Sequence, residues 1–133
     1  MSASTPRRLI IGITGASGIM YGIRLLQVLK DSDVETHLVM SDSAKLTLNT
    51  ECDWSLKEVE ALADVVHAHR NIGATIASGS FRTMGMAIMP CSIRTMSEIA
   101  TGVTSSLMSR AADVVLKERR RLVLGVRETP LHS

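Results

Sequence analysis

Short runs of β-branched and aliphatic residues alternate along the chain with longer stretches whose apolar positions recur every three or four residues, which predicts strands alternating with helices. Leu9-Ile10-Ile11-Gly12-Ile13 is apolar on both faces and reads as a central strand. Beyond a Gly-bearing loop, Ile19, Ile23, Leu25, Leu26 and Leu29 fall at helical spacing, and Asp31 to Asp33 break that pattern. His37-Leu38-Val39-Met40 predicts a second strand, followed by a helix from Ser41 or Asp42 to about Glu51. Ser55-Leu56-Lys57-Glu58 is a capping box opening another helix to about Ala63. Residues 65–83 carry no clear period, and Ser78-Gly79-Ser80 within them reads as a loop. Residues 86–89 predict a buried strand stopped by Pro90, and Ser92 caps a helix bearing Ile93, Met96, Ile99 and Ala100, which Gly102 ends. A helix over 105–119, with Leu107, Ala111, Val114, Val115 and Leu116 turned inward, and a last strand over 122–126 complete the series. The implied architecture is α/β: an open, doubly wound parallel sheet with helices on both faces and right-handed crossovers.

Length and composition narrow this picture. A chain of 133 residues is one domain, here 1–133 with residues 1–7 expected as a flexible N-terminus. Tyr21, Trp54 and Phe81 are its only aromatics, so the core is built from small and branched side chains and the eight Met, which suits helices packed closely on a buried sheet. A net charge of +2 is too small to imply a nucleic-acid partner. The basic run Lys117-Glu118-Arg119-Arg120-Arg121 reads either as a solvated helix end or as part of a ligand site. Cys52 and Cys91 have no metal spacing and read as buried small hydrophobes, which favours a reducing cytoplasm over a disulfide. The apolar run at residues 9–13 is too short for a signal sequence or a membrane span, so a soluble protein without membrane contact is expected.

Ligands of doubly wound sheets sit outside the carboxyl ends of the strands, and four such ends can be read here. The first, Gly12-Ile13-Thr14-Gly15-Ala16-Ser17-Gly18, follows a strand and opens a helix, where small residues let backbone N–H groups approach an anion. Its spacing matches neither the dinucleotide fingerprint nor a P-loop, so a single phosphate fits better than NAD or a nucleoside triphosphate; a turn needing glycine for its geometry alone is the other reading. The second end, Ser41–Ala44, offers Ser41, and in the third, Pro90–Thr95, Cys91-Ser92-Ile93-Arg94-Thr95 offers hydroxyls that can cap a helix, bind a ligand, or both. Arg127-Glu128 pairs a cation with a carboxylate able to transfer a proton, or forms a surface ion pair. Arg110 and Lys117, two turns apart on one helix face, can meet one anion or extend along the surface. His67-Ala68-His69 has the look of a metal pair without a third ligand, so no metal is expected, and Ser17 has no readable triad partners.

Taken in order, Ile11-Gly12-Ile13-Thr14-Gly15-Ala16-Ser17-Gly18, Glu35-Thr36-His37-Leu38-Val39-Met40-Ser41, Ser78-Gly79-Ser80-Phe81, Pro90-Cys91-Ser92-Ile93-Arg94-Thr95, residues 110–119 and residues 126–132 resemble the flavin prenyltransferases of ubiquinone biosynthesis over nearly the whole chain. The resemblance implies a flavodoxin-like, Rossmann-like three-layer fold, assembly as a homo-oligomer (a dodecamer in the family), and transfer of a dimethylallyl group from dimethylallyl phosphate to N5 and C6 of reduced FMN. The prenylated FMN would serve a partner decarboxylase. Carried over by position, Gly15, Ala16, Ser17, Ser41, Ser92, Ile93, Arg94, Thr95 and Arg127 would hold FMN. Ser17, Glu51, Glu128 and Lys117 would be catalytic, Arg110, Lys117 and Arg127 would meet the substrate phosphate, and no metal is implied. The resemblance also implies a chain shortened at its C-terminus: the family continues past the position of Ser133 into a segment with a Tyr and a further basic residue that grip the prenyl phosphate. Gly125 stands where the family carries a larger apolar residue.

Overall fold

A computed structural model describes residues 6–127. In chain order its elements are β1 (Arg7–Ile13), α1 (Ile19–Lys30), β2 (Val34–Met40), α2 (Asp42–Glu51), α3 (Leu56–Glu60), β3 (Val65–His67), a 3-10 turn (Thr75–Ala77), β4 (Gly85–Ser92), α4 (Ile93–Thr101), α5 (Leu107–Lys117) and β5 (Arg121–Arg127). The five strands form one sheet, ordered β3-β2-β1-β4-β5, with every pairing parallel. This is the 3-2-1-4-5 order of doubly wound sheets.

Alternation along the strands divides the core into two layers. Ile10 and Val39 point to one face, beneath Leu107, Met108, Ala111, Ala112 and Val115 of α5. Ile11, Ile13, Leu38 and Met40 point to the other, beneath Ile19, Ile23 and Leu26 of α1, Ala44 and Leu48 of α2 and Val59 of α3. Each large aliphatic side chain so buried contributes about 1.5–3 kcal/mol. Where helix and sheet touch most closely, glycine is required: a Cβ on Gly22 would strike the Met89 carbonyl oxygen.

Several boundaries differ from the sequence reading. β1 begins at Arg7 and β2 at Val34, because their first residues pair with each other (Arg7 opposite Val34) although both lie outside the apolar runs. β3 was not visible in the sequence: it is three residues long, lies at the sheet edge and is mostly exposed. α3 stops at Glu60 rather than Ala63, and α5 runs from Leu107 to Lys117 rather than 105–119; its start is set by Ser106 and Ser109, which form a reciprocal cap. Leu116, expected inward, is half exposed at the last turn of α5. Pro90 does not stop β4. The strand shifts register between Ile88 and Cys91, where Pro90 needs no ladder hydrogen bond, and pairing resumes with Cys91 opposite Val126 and Ser92 opposite Arg127. Cys52 and Cys91 are both free thiols.

Candidate functional site

Strand β1 lies between β2 and β4, so the chain leaves it toward opposite sides and a crevice opens outside the carboxyl ends of β1 and β4. Thr14, the first residue past β1, braces that crevice. Its buried hydroxyl donates to the Pro90 carbonyl at 2.7 Å and accepts from the Ser92 backbone N–H at 2.9 Å. Thr47 of α2 fastens the next residue, donating to the Gly15 carbonyl at 2.9 Å. Gly15 is packed against α2: a Cβ there would lie 2.7 Å from the Ser43 side chain. Gly18 has φ of +96°, a left-handed conformation that glycine adopts freely, and it turns the chain into α1.

A cavity of about 370 Å³ lies beside this brace, within the ordinary scale of small-molecule sites of about 300–1,000 Å³. Ser41, Asp42 and Ser43 enter it from the start of α2, Ser92, Arg94, Thr95 and Glu98 from α4, and Ser105 and Ser106 from the start of α5. Three of these serines are helix caps: Ser41 accepts from the Ala44 N–H, Ser92 from the Thr95 N–H and Ser106 from the Ser109 N–H. Three helix N-termini thus converge on one hydroxyl-lined space, with donor N–H groups and the positive ends of the helix dipoles directed toward it. Ile93 is half exposed at the first turn of α4 and does not line this cavity.

The loop over residues 15–18 is arranged differently from a bare anion cradle. Glu51, the last residue of α2, already places its carboxylate there, accepting from the Ser17 hydroxyl at 3.2 Å and from the Gly18 N–H at 3.2 Å. Gly15 and Ala16 are buried and Ser17 is partly exposed, and none of the three lines the cavity, whose wall is drawn mainly from the starts of α2, α4 and α5. Arg127, opposite Ser92, holds its guanidinium 5.5 Å above the Tyr21 ring, close to Gly18.

Arg110 and Lys117 do not line the cavity. Both are exposed on α5, and Lys117 pairs with Asp113 at 2.8 Å near the end of the sheet where β5 begins. Glu128 lies outside the described residues. The His67-Ala68-His69 motif splits: His67 bonds through its ring nitrogen to that of His37 at 2.9 Å, while His69 lines the cavity. His37 in turn meets Glu35 at 2.7 Å, and that hydrogen bond holds the Glu35 carboxyl below its ordinary pKa. Burial lowers the pKa of His67 and of His69. No cluster of three or more metal-ligating side chains occurs among the described residues.

Thr14, Asp42 and Ser43 lay within strand ends read from the sequence, and His69 was read only as half of a metal pair; Thr47, Glu98, Ser105 and Ser106 were missed. Only Ser106 had a signal, through its pairing with Ser109 three residues on; the rest become neighbours through crossovers that no local pattern encodes.

Fold and site together define a doubly wound α/β protein with a hydroxyl-lined cavity at its switch point. Comparisons narrow the class. A family profile described as Flavoprotein matches residues 2–130. The flavin prenyltransferase UbiX of Escherichia coli K12 is 65% identical over 127 residues, covering 95% of this chain and 67% of the relative, so the chain spans about two thirds of that relative's length. A crystal structure of AnUbiX (PadA1) in complex with FMN and dimethylallyl pyrophosphate superposes with a TM-score of 0.92 at 50% identity, covering 97% of this chain and 69% of that one. A dodecameric FMN-dependent UbiX-like protein from Escherichia coli O157:H7 gives 0.90 at 52% identity, with 95% and 69% covered. This chain belongs to the flavin prenyltransferase family of flavoproteins.

Proposed function

We propose that this chain is a flavin prenyltransferase, joining a dimethylallyl group from dimethylallyl phosphate to N5 and C6 of reduced FMN. The prenylated FMN then supplies a partner decarboxylase in ubiquinone biosynthesis. The observation that carries the reading is the 370 Å³ cavity at the switch point, lined by hydroxyls and Arg94 and flanked by the Ser17–Glu51 pair. The residues present fit FMN. Hydroxyls, helix N-termini and a guanidinium suit its phosphate, all of them on the wall of the one cavity.

On this reading Ser41, Ser92, Arg94 and Thr95 hold the phosphate, Ile93 borders the approach, and Gly15, Ala16, Ser17 and Arg127 flank the ring. Bound reduced FMN supplies the nucleophilic ring positions. The chain's own contribution is charge and proton handling. Arg127 offers positive charge to the departing phosphate of the donor, and Glu51 takes a proton through the Ser17 hydroxyl that already donates to it. Glu128 stands next to Arg127 in sequence and is the second carboxylate assigned to proton transfer. Arg110 and Lys117, both exposed on α5, are assigned to the substrate phosphate, and the dodecameric relative supports a homo-oligomer, with a dodecamer as its form. No helix among the described residues is long and apolar enough to cross a membrane. The reducing cytoplasm is the compartment in which Cys52 and Cys91 remain the free thiols observed.

A second reading is an FMN-binding subunit without turnover, for which the hydroxyl-lined cavity alone is sufficient. One experiment separates the two: supply the purified chain with reduced FMN and dimethylallyl phosphate and look for prenylated FMN by mass. Product establishes the transferase; bound yellow chromophore without product leaves the subunit; no chromophore removes both.

A further inference from the structure

We propose that His69 is a phosphate-binding residue of the flavin cavity, reading the phosphoryl end of FMN together with Arg94; the inference rests on the assignment of that cavity to FMN. The motif His67-Ala68-His69 places its two imidazoles in different surroundings. His67, at the end of β3, stacks on His37 with ring centroids 5.2 Å apart. His69, two residues farther, has left the sheet and joins the cavity wall. Its carbonyl accepts from the Leu107 N–H at 3.4 Å, which ties this segment to the first turn of α5 and to the serines that enter the cavity there. The ring is therefore presented at the rim where the starts of α2, α4 and α5 meet.

The charges around it favour this role. Asp42 and Lys45 face His69 from α2, Glu98 from α4 and Arg70 from its own segment, while α5 brings the Ser105 and Ser106 hydroxyls. The two acids already have partners: Arg70 donates to Asp42 at 3.3 Å, and the Ser105 hydroxyl donates to Glu98 at 3.2 Å. Arg94 and His69 are the cavity-lining side chains that can carry positive charge. Burial keeps the His69 pKa below its ordinary 6.5, so at neutral pH the ring is neutral and offers one N–H. A phosphate dianion beside it favours the imidazolium, so binding draws a proton onto the ring.

The test compares FMN with riboflavin, which lacks the phosphate, by flavin-fluorescence titration of the 133-residue chain and its His69→Ala and His69→Gln variants. His69→Ala is expected to weaken FMN about tenfold and riboflavin less than about threefold, with His69→Gln in between, since one charge-assisted hydrogen bond is removed. Calorimetry in two buffers of different ionisation enthalpy reads the second signature: the unsubstituted chain takes up more protons on binding FMN than His69→Gln does. Equal loss of both flavins, or no loss of either, overturns the role of His69 while leaving the flavin site standing. Equal affinity of the unsubstituted chain for FMN and riboflavin overturns the placement of the phosphate and His69 with it. Failure of the unsubstituted chain to bind either flavin overturns the parent reading and this one together.

Discussion

Replacing Thr14 with Val tests whether the switch-point crevice is held open by one hydroxyl. The substitution keeps the branched shape and removes a group that is 1% exposed and serves three backbone partners, the third being the Ala16 N–H at 3.4 Å. The Pro90 carbonyl keeps a second donor, the Thr14 N–H at 3.2 Å. The Ser92 N–H loses the acceptor it has at 2.9 Å, and Ser92 is only 7% exposed, so water cannot readily replace it. A buried donor left unsatisfied costs about 1–3 kcal/mol, partly offset by about 0.8 kcal/mol for the added apolar carbon. The net loss of up to about 2 kcal/mol lowers the melting temperature by up to roughly 8 °C for a domain of this size. Because Ser92 caps α4 and its partner Thr95 lines the cavity, flavin affinity falls as well. Scanning calorimetry and flavin titration read both effects, and Thr14→Ser, which keeps the hydroxyl, retains flavin affinity. A Thr14→Val protein that melts within about 1 °C of the unsubstituted chain and binds flavin unchanged would refute the brace.

Other outcomes follow from the same geometry. Ser17→Trp abolishes flavin binding, because the loop borders the crevice too closely for an indole; a yellow Ser17→Trp protein would remove the loop from the site. Glu51→Gln lowers the rate of prenylated-flavin formation about a hundredfold through loss of the proton acceptor, with flavin affinity largely kept, and an unchanged rate by mass detection would exclude Glu51 from proton transfer. Burial pushes the Cys91 thiol up to about 11. The folded state then holds its proton more tightly than the unfolded one, so the associated stability is intact below about pH 9 and is lost as pH rises from there through about 11. Urea midpoints measured at rising pH fall across that window for the unsubstituted chain and fall less for Cys91→Ala; identical slopes would assign the loss to other groups.

Local patterning carried much of the architecture. The apolar runs at β1 and β2, the helical spacing of α1, and the caps Ser55, Ser92 and Gly102 are nearest-neighbour signals, so strand–helix alternation was legible, and with it a parallel sheet with polar strand ends. Signals failed where an element owes its existence to a partner. β3 is a strand only because β2 offers it an edge, and β4 passes through Pro90 only because β5 resumes pairing beyond the irregularity.

The site divides along the same line. Gly15, Ser17, Ser41, Ser92 and Arg94 were identifiable as chemistry-bearing residues at strand ends, since residue type and position relative to a strand are properties of the chain alone. What the chain alone did not determine is who faces whom. The tertiary structure put the Glu51 carboxylate onto Ser17 and Gly18, where an external anion had been expected. It also assembled the cavity from the starts of α2, α4 and α5 and separated His69 from His67. Such pairings join residues 30 to 78 positions apart, from His37 with His67 to Thr14 with Ser92. They are set by the strand order and by which face each helix buries, quantities that depend on the whole sheet and on no single segment.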